Sequence, residues 1–448
     1  MLRIGIIQFP GTNCEYETKR VVDEVGMEGY VIRWNSGEDL DKYDGLIIPG
    51  GFSYEDRGRA GVIASVDPLM ERVKEIAFEG KPVLGICNGA QILVESGLVP
   101  DVYGENRLEM ALAKNRMGSG TGYYNTWVHV RSSANLGRTA FTYGIEEGEV
   151  MPIVIAHAEG RFTTKDSHVK KELLKQNLVI FRYCDEEGNV KEEFPVNPNG
   201  SIFNAAGISN PKGNVLALMP HPERSAFEYH GRSYTGKHEL KGSEIFRSIA
   251  EYFKRGGVEG IEVEYKLPLP DSKEVKKEKK PVRKGIEFFT ELIITDNEAW
   301  SVGEALKRKG YKFGGVRKNE YWNILADCSK GTVESIIRSG EIVNTNKANV
   351  VVRLPDGELM KYDTDRMKLV PYRGEIIKDY ELPLLVMEDE DTIAEGVMKS
   401  LRDSHNLPVE HVERGILWLF EDPEDRESLK KSRILSNPHY QEMIEFDF

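Results

Sequence analysis

The sequence predicts an α/β N-terminal part, with a mostly parallel sheet covered by helices on both faces, followed by a smaller α+β part. Three observations carry this reading. Short apolar runs alternate with amphipathic stretches over the first half of the chain, as strands and helices do around a parallel sheet. A lysine-rich, proline-bounded segment then interrupts the alternation. After it, one strand–helix pattern occurs twice.

The first elements follow in order. "RIGIIQF" (3–9) reads as a buried strand, and a helical stretch starts near Tyr16. "GYVIRW" and "YDGLIIPGG" read as the next strands. Asp67-Pro68 is a helix start, with Asp as N-cap and Pro in the first turn. Leu69, Val73, Ile76 and Ala77 fall on one face at helical spacing. "KPVLGI" (81–86) is the strand that follows.

The interruption is "LPLPDSKEVKKEKKPVRKG" (267–285), which has no apolar periodicity and reads as a solvated linker. The domain reading is therefore 1–266, a linker over 267–285, a first repeat over 286–353, a connecting hairpin over 354–380 and a second repeat over 381–448. Each repeat reads strand, helix, strand, helix, strand. Val316-Arg317 and Glu413-Arg414 precede matching apolar stretches, and Asn344 aligns near Asn437. Asp356-Gly357 marks a β-hairpin turn.

Bulk properties bound the function. The chain has 448 residues, so several domains are expected. No apolar run approaches the roughly 20 residues of a membrane span. The apolar N-terminal stretch has no cleavage pattern, which predicts a cytoplasmic protein without a membrane partner. A net charge of −13 argues against nucleic acid. Cys14, Cys87, Cys184 and Cys328 are far apart in sequence with no CxxC, which predicts no zinc site and a reducing compartment.

The chemistry centres on "KPVLGICNGAQIL" (81–93). Cys87 stands between Gly85 and Gly89, where a strand turns into a helix. Glycines clear a tight turn around a nucleophile, and a helix N-terminus favours a thiolate. "ALMPHPERS" (217–225) supplies His221 as base and Glu223 to orient its ring. Gly50 and Gly51, after the strand "LIIPGG", offer bare amides for an oxyanion hole together with the Asn88 amide. Gln91, on the helix after Cys87, lines the substrate side of the site in this reading. The GSGTG within "NRMGSGTGYYNTW" (115–127) lacks a P-loop lysine and reads as a loop.

These motifs together resemble the class I glutamine amidotransferases, whose core is flavodoxin-like. Within that class, "FPGTNCEYE", "PGGFSYEDRGRAG", "GICNGAQIL", "AHAEGRF", "NPNGSIFNAAGI" and "MPHPERS" resemble the glutaminase (PurQ) family of phosphoribosylformylglycinamidine synthase. Glu55 and the 115–127 loop depart from the family pattern. The resemblance implies hydrolysis of glutamine by a Cys87–His221–Glu223 triad and delivery of ammonia to a separate PurL-like synthetase. It implies no cofactor or metal on this chain, with ATP and magnesium on the partner. The C-terminal repeats resemble PurS, the small third component of that synthase, through "VRKNEYWNIL", "ERGILWLF" and "SNPHYQEMIEF". Three other readings remain open: an amidotransferase serving another synthetase, a Cys-His-Glu γ-glutamyl hydrolase, and a scaffold built around the repeats.

Overall fold

The computed structural model describes residues 1–118, 120–256 and 285–447. The predicted linker, except for Gly285, lies outside them. The chain divides into two compact units, 1–269 and 270–448, and each is described by itself.

The first unit is built on a nine-stranded sheet. Its elements are β1 (Arg3–Gln8), α1 (Glu15–Glu24), β2 (Glu28–Arg33), β3 (Gly45–Ile48), α2 (Val62–Ser65), α3 (Pro68–Phe78), β4 (Val83–Ile86), α4 (Asn88–Glu95), β5 (Ala111–Ala113), β6 (Tyr124–Ser132), β7 (Val150–His157), β8 (Arg161–Thr163), α5 (Ser167–Lys175), β9 (Val179–Cys184), β10 (Ala205–Ser209), β11 (Val215–Leu218) and α6 (Gly242–Lys254). The strand order is β2-β1-β3-β4-β11-β10-β9-β6-β7. From β2 to β11 every pair is parallel. Beyond β11 every pair is antiparallel. The sheet is thus mixed, and strand–helix alternation foretold only its parallel half. Successive residues of β3, β4 and β11 are all buried. Side chains alternate sides along a strand, so both faces of the central sheet are covered.

Local signals behave as their chemistry requires. Asp67 caps α3, its carboxylate accepting from the Leu69 amide at 3.0 Å, with Pro68 in the first turn. The buried stripe of α3 is Met70, Val73, Ile76 and Ala77, whereas Leu69 is only partly buried against the core.

The second unit holds one eight-stranded sheet. Its elements are β12 (Ile286–Leu292), α7 (Asn297–Arg308), β13 (Val316–Ala326), α8 (Lys330–Arg338), β14 (Ala348–Arg353), β15 (Leu359–Asp363), β16 (Lys368–Pro371), β17 (Glu381–Glu388), α9 (Thr392–Asp403), β18 (Val409–Glu421), α10 (Arg426–Leu429) and β19 (Gln441–Glu445). The order is β16-β15-β14-β12-β13-β18-β17-β19. Outward from the β13–β18 seam, both halves run second strand, first strand, third strand. The seam is antiparallel over its length, from Val316 opposite Phe420 to Ala326 opposite Val409. The two copies therefore join edge to edge in one sheet. Face-to-face packing, which two open sheets would also allow, is not what occurs, because pairing β13 with β18 satisfies the backbone groups of both edges at once.

The correspondence extends to single atoms. Asp296 caps α7 by accepting from the amides of Glu298 and Ala299, and Asp391 caps α9 by accepting from Ile393 and Ala394. Each cap pairs with a cation on its second strand, Asp296 with Lys318 at 3.6 Å and Asp391 with Arg414 at 3.7 Å. Lys318, rather than Arg317, is thus the counterpart of Arg414. Arg317 instead binds Glu381 at 2.7 Å. Asn344 Oδ1 accepts from the amide two residues on, and its carbonyl from those three and four on. Asn437 does the same. The Asp356-Gly357 turn joins β14 to β15, with Gly357 at φ 91°.

Candidate active site

The glycines around Cys87 have a steric reason. Gly85 and Gly89 face each other across the turn: a Cβ on Gly85 would lie 2.5 Å from the Gly89 carbonyl oxygen, and one on Gly89 would collide with the Ile48 carbonyl. With both cleared, β4 runs directly into α4 and Cys87 takes the N-cap position at φ 50°, ψ −106°. That is left-handed territory for a residue with a side chain, and such strain concentrates at functional positions. The first amides of α4, Asn88 among them, have no intrahelical acceptor.

His221 follows β11 and is tied to β7, its amide donating to the Val154 carbonyl at 2.8 Å. Its Nδ1 donates to Glu223 Oε1 at 2.5 Å, which orients the ring and leaves Nε2 as the nitrogen able to exchange a proton. Nε2 is buried and makes no hydrogen bond of its own, and Glu223 Oε2 is likewise buried and unbonded. Burial alone would lower the affinity of His221 for a proton. The Glu223 carboxylate, with the Cys87 and Cys14 sulfurs beside the ring, outweighs that and holds its pKa well above the usual histidine value.

The backbone of Gly50 closes against this group. A methyl there would lie 2.8 Å from His221 Cε1, 3.2 Å from Cys14 Sγ and 3.5 Å from Cys87 Cβ. Gly51, at φ 150°, bridges Thr12 so tightly that a Cβ would meet Thr12 Cα at 2.7 Å. Cys87, His221, Glu223 and Gly50 are thus brought together as the sequence predicts. The side chains of Asn88 and Gln91 are bonded to other protein groups. The Asn88 side chain accepts from the Ser53 amide and donates to Asp56 and to Gln91 Oε1. Gln91 in turn donates to the Glu159 carbonyl at 2.7 Å. This relay holds the 53–56 segment, whose Tyr54, Glu55 and Asp56 all have positive φ. Burial, with the Glu159 charge nearby, pushes the Asp56 carboxyl up to about 7.

Sequence reasoning passed over several residues that the fold places here. Cys14 is buried against His221, donates to Asn13 Oδ1 at 3.2 Å and accepts from Arg224 at 3.3 Å; burial pushes its thiol up. Its only signal was the "FPGTNCEYE" motif, which gave it no role. His157, at the end of β7, is buried to the point that its pKa falls to about 3, and Gly160 packs on its ring. The 115–127 segment closes on itself through Met117 and Gly120. Within it stands Tyr123, an exposed ring whose centroid lies 6.5 Å from that of Phe52.

A thiol at a strained strand–helix turn, a histidine–carboxylate pair against it and glycine amides alongside define a glutamine amidotransferase of the triad class. The chain belongs to the family described as the CobB/CobQ-like glutamine amidotransferase domain, whose model matches residues 1–253. Within it, the chain is 48% identical over 264 residues to phosphoribosylformylglycinamidine synthase subunit PurQ of Methanothrix thermoacetophila, covering 98% of that protein and 56% of this chain. It is 40% identical over 255 residues to PurQ of Pyrococcus horikoshii, covering 100% of that protein and 57% of this chain. Among solved structures, PurLQS from Thermotoga maritima matches at 32% identity and a TM-score of 0.45, over 56% of this chain and 99% of that one. Among the described residues, no helix is long and apolar enough to cross a membrane.

Proposed function

We propose that the chain is the glutaminase component of a phosphoribosylformylglycinamidine synthase and that Cys87 is its nucleophile. The carrying observation is the strained Cys87 turn set against the buried His221–Glu223 pair. Of the two thiols beside His221, Cys14 sits ahead of α1 at φ −101°, outside the left-handed region, with both its donor and acceptor roles engaged. Cys87 alone has the elbow.

Cys87, as the thiolate beside protonated His221, attacks the side-chain carboxamide of glutamine. The tetrahedral oxyanion is held by the Gly51 and Asn88 amides. His221 then gives its proton to the leaving ammonia, and the acyl group stays on sulfur as a thioester. In the second half His221 activates water, which releases glutamate. Glu223 holds the ring and stabilises the imidazolium without taking the proton. None of these steps requires a metal or cofactor on this chain.

Ammonia passes to a separate PurL-like synthetase, which carries ATP and magnesium. The second unit serves as a PurS-like bridge to that partner. Its twofold edge-joined sheet supports this, since a symmetric pair of modules suits a symmetric role. So does an exposed apolar group near the α7 N-terminus, where Ile294 is 71% and Trp300 63% exposed. The test is Cys87→Ala with the synthetase. Glutamine-dependent amidine formation should fall at least ~10⁴-fold, while ammonia-dependent formation persists. Retained glutamine-dependent turnover would remove Cys87 from the mechanism.

A further inference from the structure

Cys14 has no task in this chemistry, yet its sulfur is buried against the same imidazole. Cys14 Sγ, a His221 ring nitrogen and a Glu223 oxygen all lie within 4.8 Å of one another, and all three side chains are buried. The sulfur is held in place. It donates to Asn13 Oδ1 at 3.2 Å and accepts from Arg224 at 3.3 Å. The Cys14 amide donates to the Gly50 carbonyl at 3.2 Å. A methyl on Gly50 would lie 3.2 Å from this sulfur and 2.8 Å from His221 Cε1, so one stretch of bare backbone seats both side chains. Glu223 gives one oxygen to His221 Nδ1, and its Oε2 is buried with no hydrogen bond.

We propose that Cys14 is a positioning residue for His221: its sulfur fills the place from which a water would reach Glu223, and so leaves the carboxylate to the imidazole alone. The inference rests on the preceding reading in taking His221 as the group that protonates the leaving ammonia.

A thiol suits that place because it is a weak donor and a weak acceptor. Without the sulfur, the space left is bordered by Asn13 Oδ1, an Arg224 N–H and a Glu223 oxygen. Those are partners enough for a buried water. Such a water donates to the carboxylate, stabilises its charge and loosens its hold on the Nδ1 proton. A serine hydroxyl, a stronger donor than a thiol, does the same. The imidazolium, which must keep its proton until ammonia departs, then loses it at lower pH.

The ionisable groups around His221 are Glu223 and Arg224 on its own turn, Cys14 at the head of α1, Cys87 at the head of α4, His157 at the end of β7 and Tyr123 just before β6. Burial pushes the Cys14 thiol up, so it stays neutral. Burial also holds His157 neutral, its pKa having fallen to about 3, and raises the Tyr123 phenol. Arg224 fixes the sulfur and is itself bonded to Glu17 at 2.8 Å. Glu223 and the Cys87 thiolate are left as the charges that hold the His221 proton.

The test is the pH profile of glutamine-dependent amidine formation by the full chain with its synthetase, in wild type, Cys14→Ala and Cys14→Ser. Both variants should lose about 10-fold in kcat with the KM for glutamine nearly unchanged, because the substrate is not touched. In both, the alkaline limb of the profile should move to lower pH, while ammonia-dependent formation stays as in wild type. Serine keeps partners for Asn13 and Arg224, so a merely structural role would be restored by it. A serine variant with the wild-type alkaline limb therefore overturns the proposal, as does an alanine variant that loses activity with its limb unmoved. Should the alanine variant fold poorly, the serine variant decides alone. A second measurement does not depend on turnover. The downfield proton resonance of the Nδ1–Glu223 bond should persist to higher pH in wild type than in Cys14→Ser, and equal persistence overturns the positioning role. A wild-type chain that shows this difference but hydrolyses no glutamine would refute the proposed function and leave the positioning of His221 standing.

Discussion

The two units place their buried polar groups differently. The first gathers Cys14, Cys87, His221 and Glu223 into one water-poor cluster and leaves His221 Nε2 without a hydrogen bond. It also holds Cys87 and the Tyr54–Asp56 segment in left-handed backbone. The second spends its charges on local pairs, Asp296 with Lys318, Asp391 with Arg414 and Arg317 with Glu381. Its strands are filled by apolar side chains such as Phe288, Ile324, Leu417 and Leu419. Positive-φ residues and unbonded buried atoms occur in both units, but among the described residues it is in the first that they gather around a thiol and an imidazole, where the chemistry is done. The other unit uses each local solution twice, because a sheet doubled about its seam needs only one set of solutions.

The largest expected contrast is catalytic. Glu223→Gln keeps the size of the side chain but removes the charge that orients His221 and raises its pKa. Glutamine hydrolysis should drop about 10²–10⁴-fold, while urea unfolding of the second unit stays put. Full hydrolytic activity in this variant would mean that Glu223 is only structural.

Next comes the seam. Leu417 is fully buried on β18, opposite Asn319 on one side and Leu385 on the other. Leu417→Ala should cost the second unit about 2–5 kcal/mol, read as faster amide exchange in β13 and β18, with glutamine hydrolysis unchanged. Equal loosening of β4 and β11 would erase the distinction between the units.

A smaller effect should follow pH. The Asp56 carboxyl is raised to about 7 in the folded chain, so between its ordinary value and about 7 the folded state holds a proton that the unfolded state has lost. Stability from this group is therefore present at low pH and lost as pH rises through about 7. Asp56→Asn keeps an acceptor for Asn88 and removes the titration. Relative to wild type it should gain more than about 1 kcal/mol between pH 5 and pH 8, one pKa unit being worth about 1.4 kcal/mol. A flat difference between the two proteins across that range would show that Asp56 titrates normally.

The finest test asks whether the repeats are energetically as well as geometrically equivalent. Asp296→Ala and Asp391→Ala each remove a cap bonded to two amides. Each should cost about 1 kcal/mol in chemical denaturation, and the two values should agree within about 0.5 kcal/mol. A large inequality would mean that one copy carries the fold and the other rides on it.

By itself the sequence determined what depends on near neighbours. The Gly85–Cys87–Gly89 turn, the His221–Glu223 pair, the Asp67-Pro68 helix start and the Asp356-Gly357 hairpin are set within a few residues, where backbone sterics and short hydrogen bonds decide. The twofold pattern of the second unit was legible for the same reason, since each copy repeats its own caps and turns. Only the tertiary structure decided what requires distant segments to meet. Strand alternation carries no signal for the antiparallel half of the first sheet, because a strand's sequence does not say which edge it will join. Gln91 and Asn88 bond to protein groups at Glu159 and Ser53 that no local spacing connects. Cys14 and Cys87, remote in sequence, come together at His221 because Gly51 bridges Thr12 and Gly50 leaves room for all three side chains.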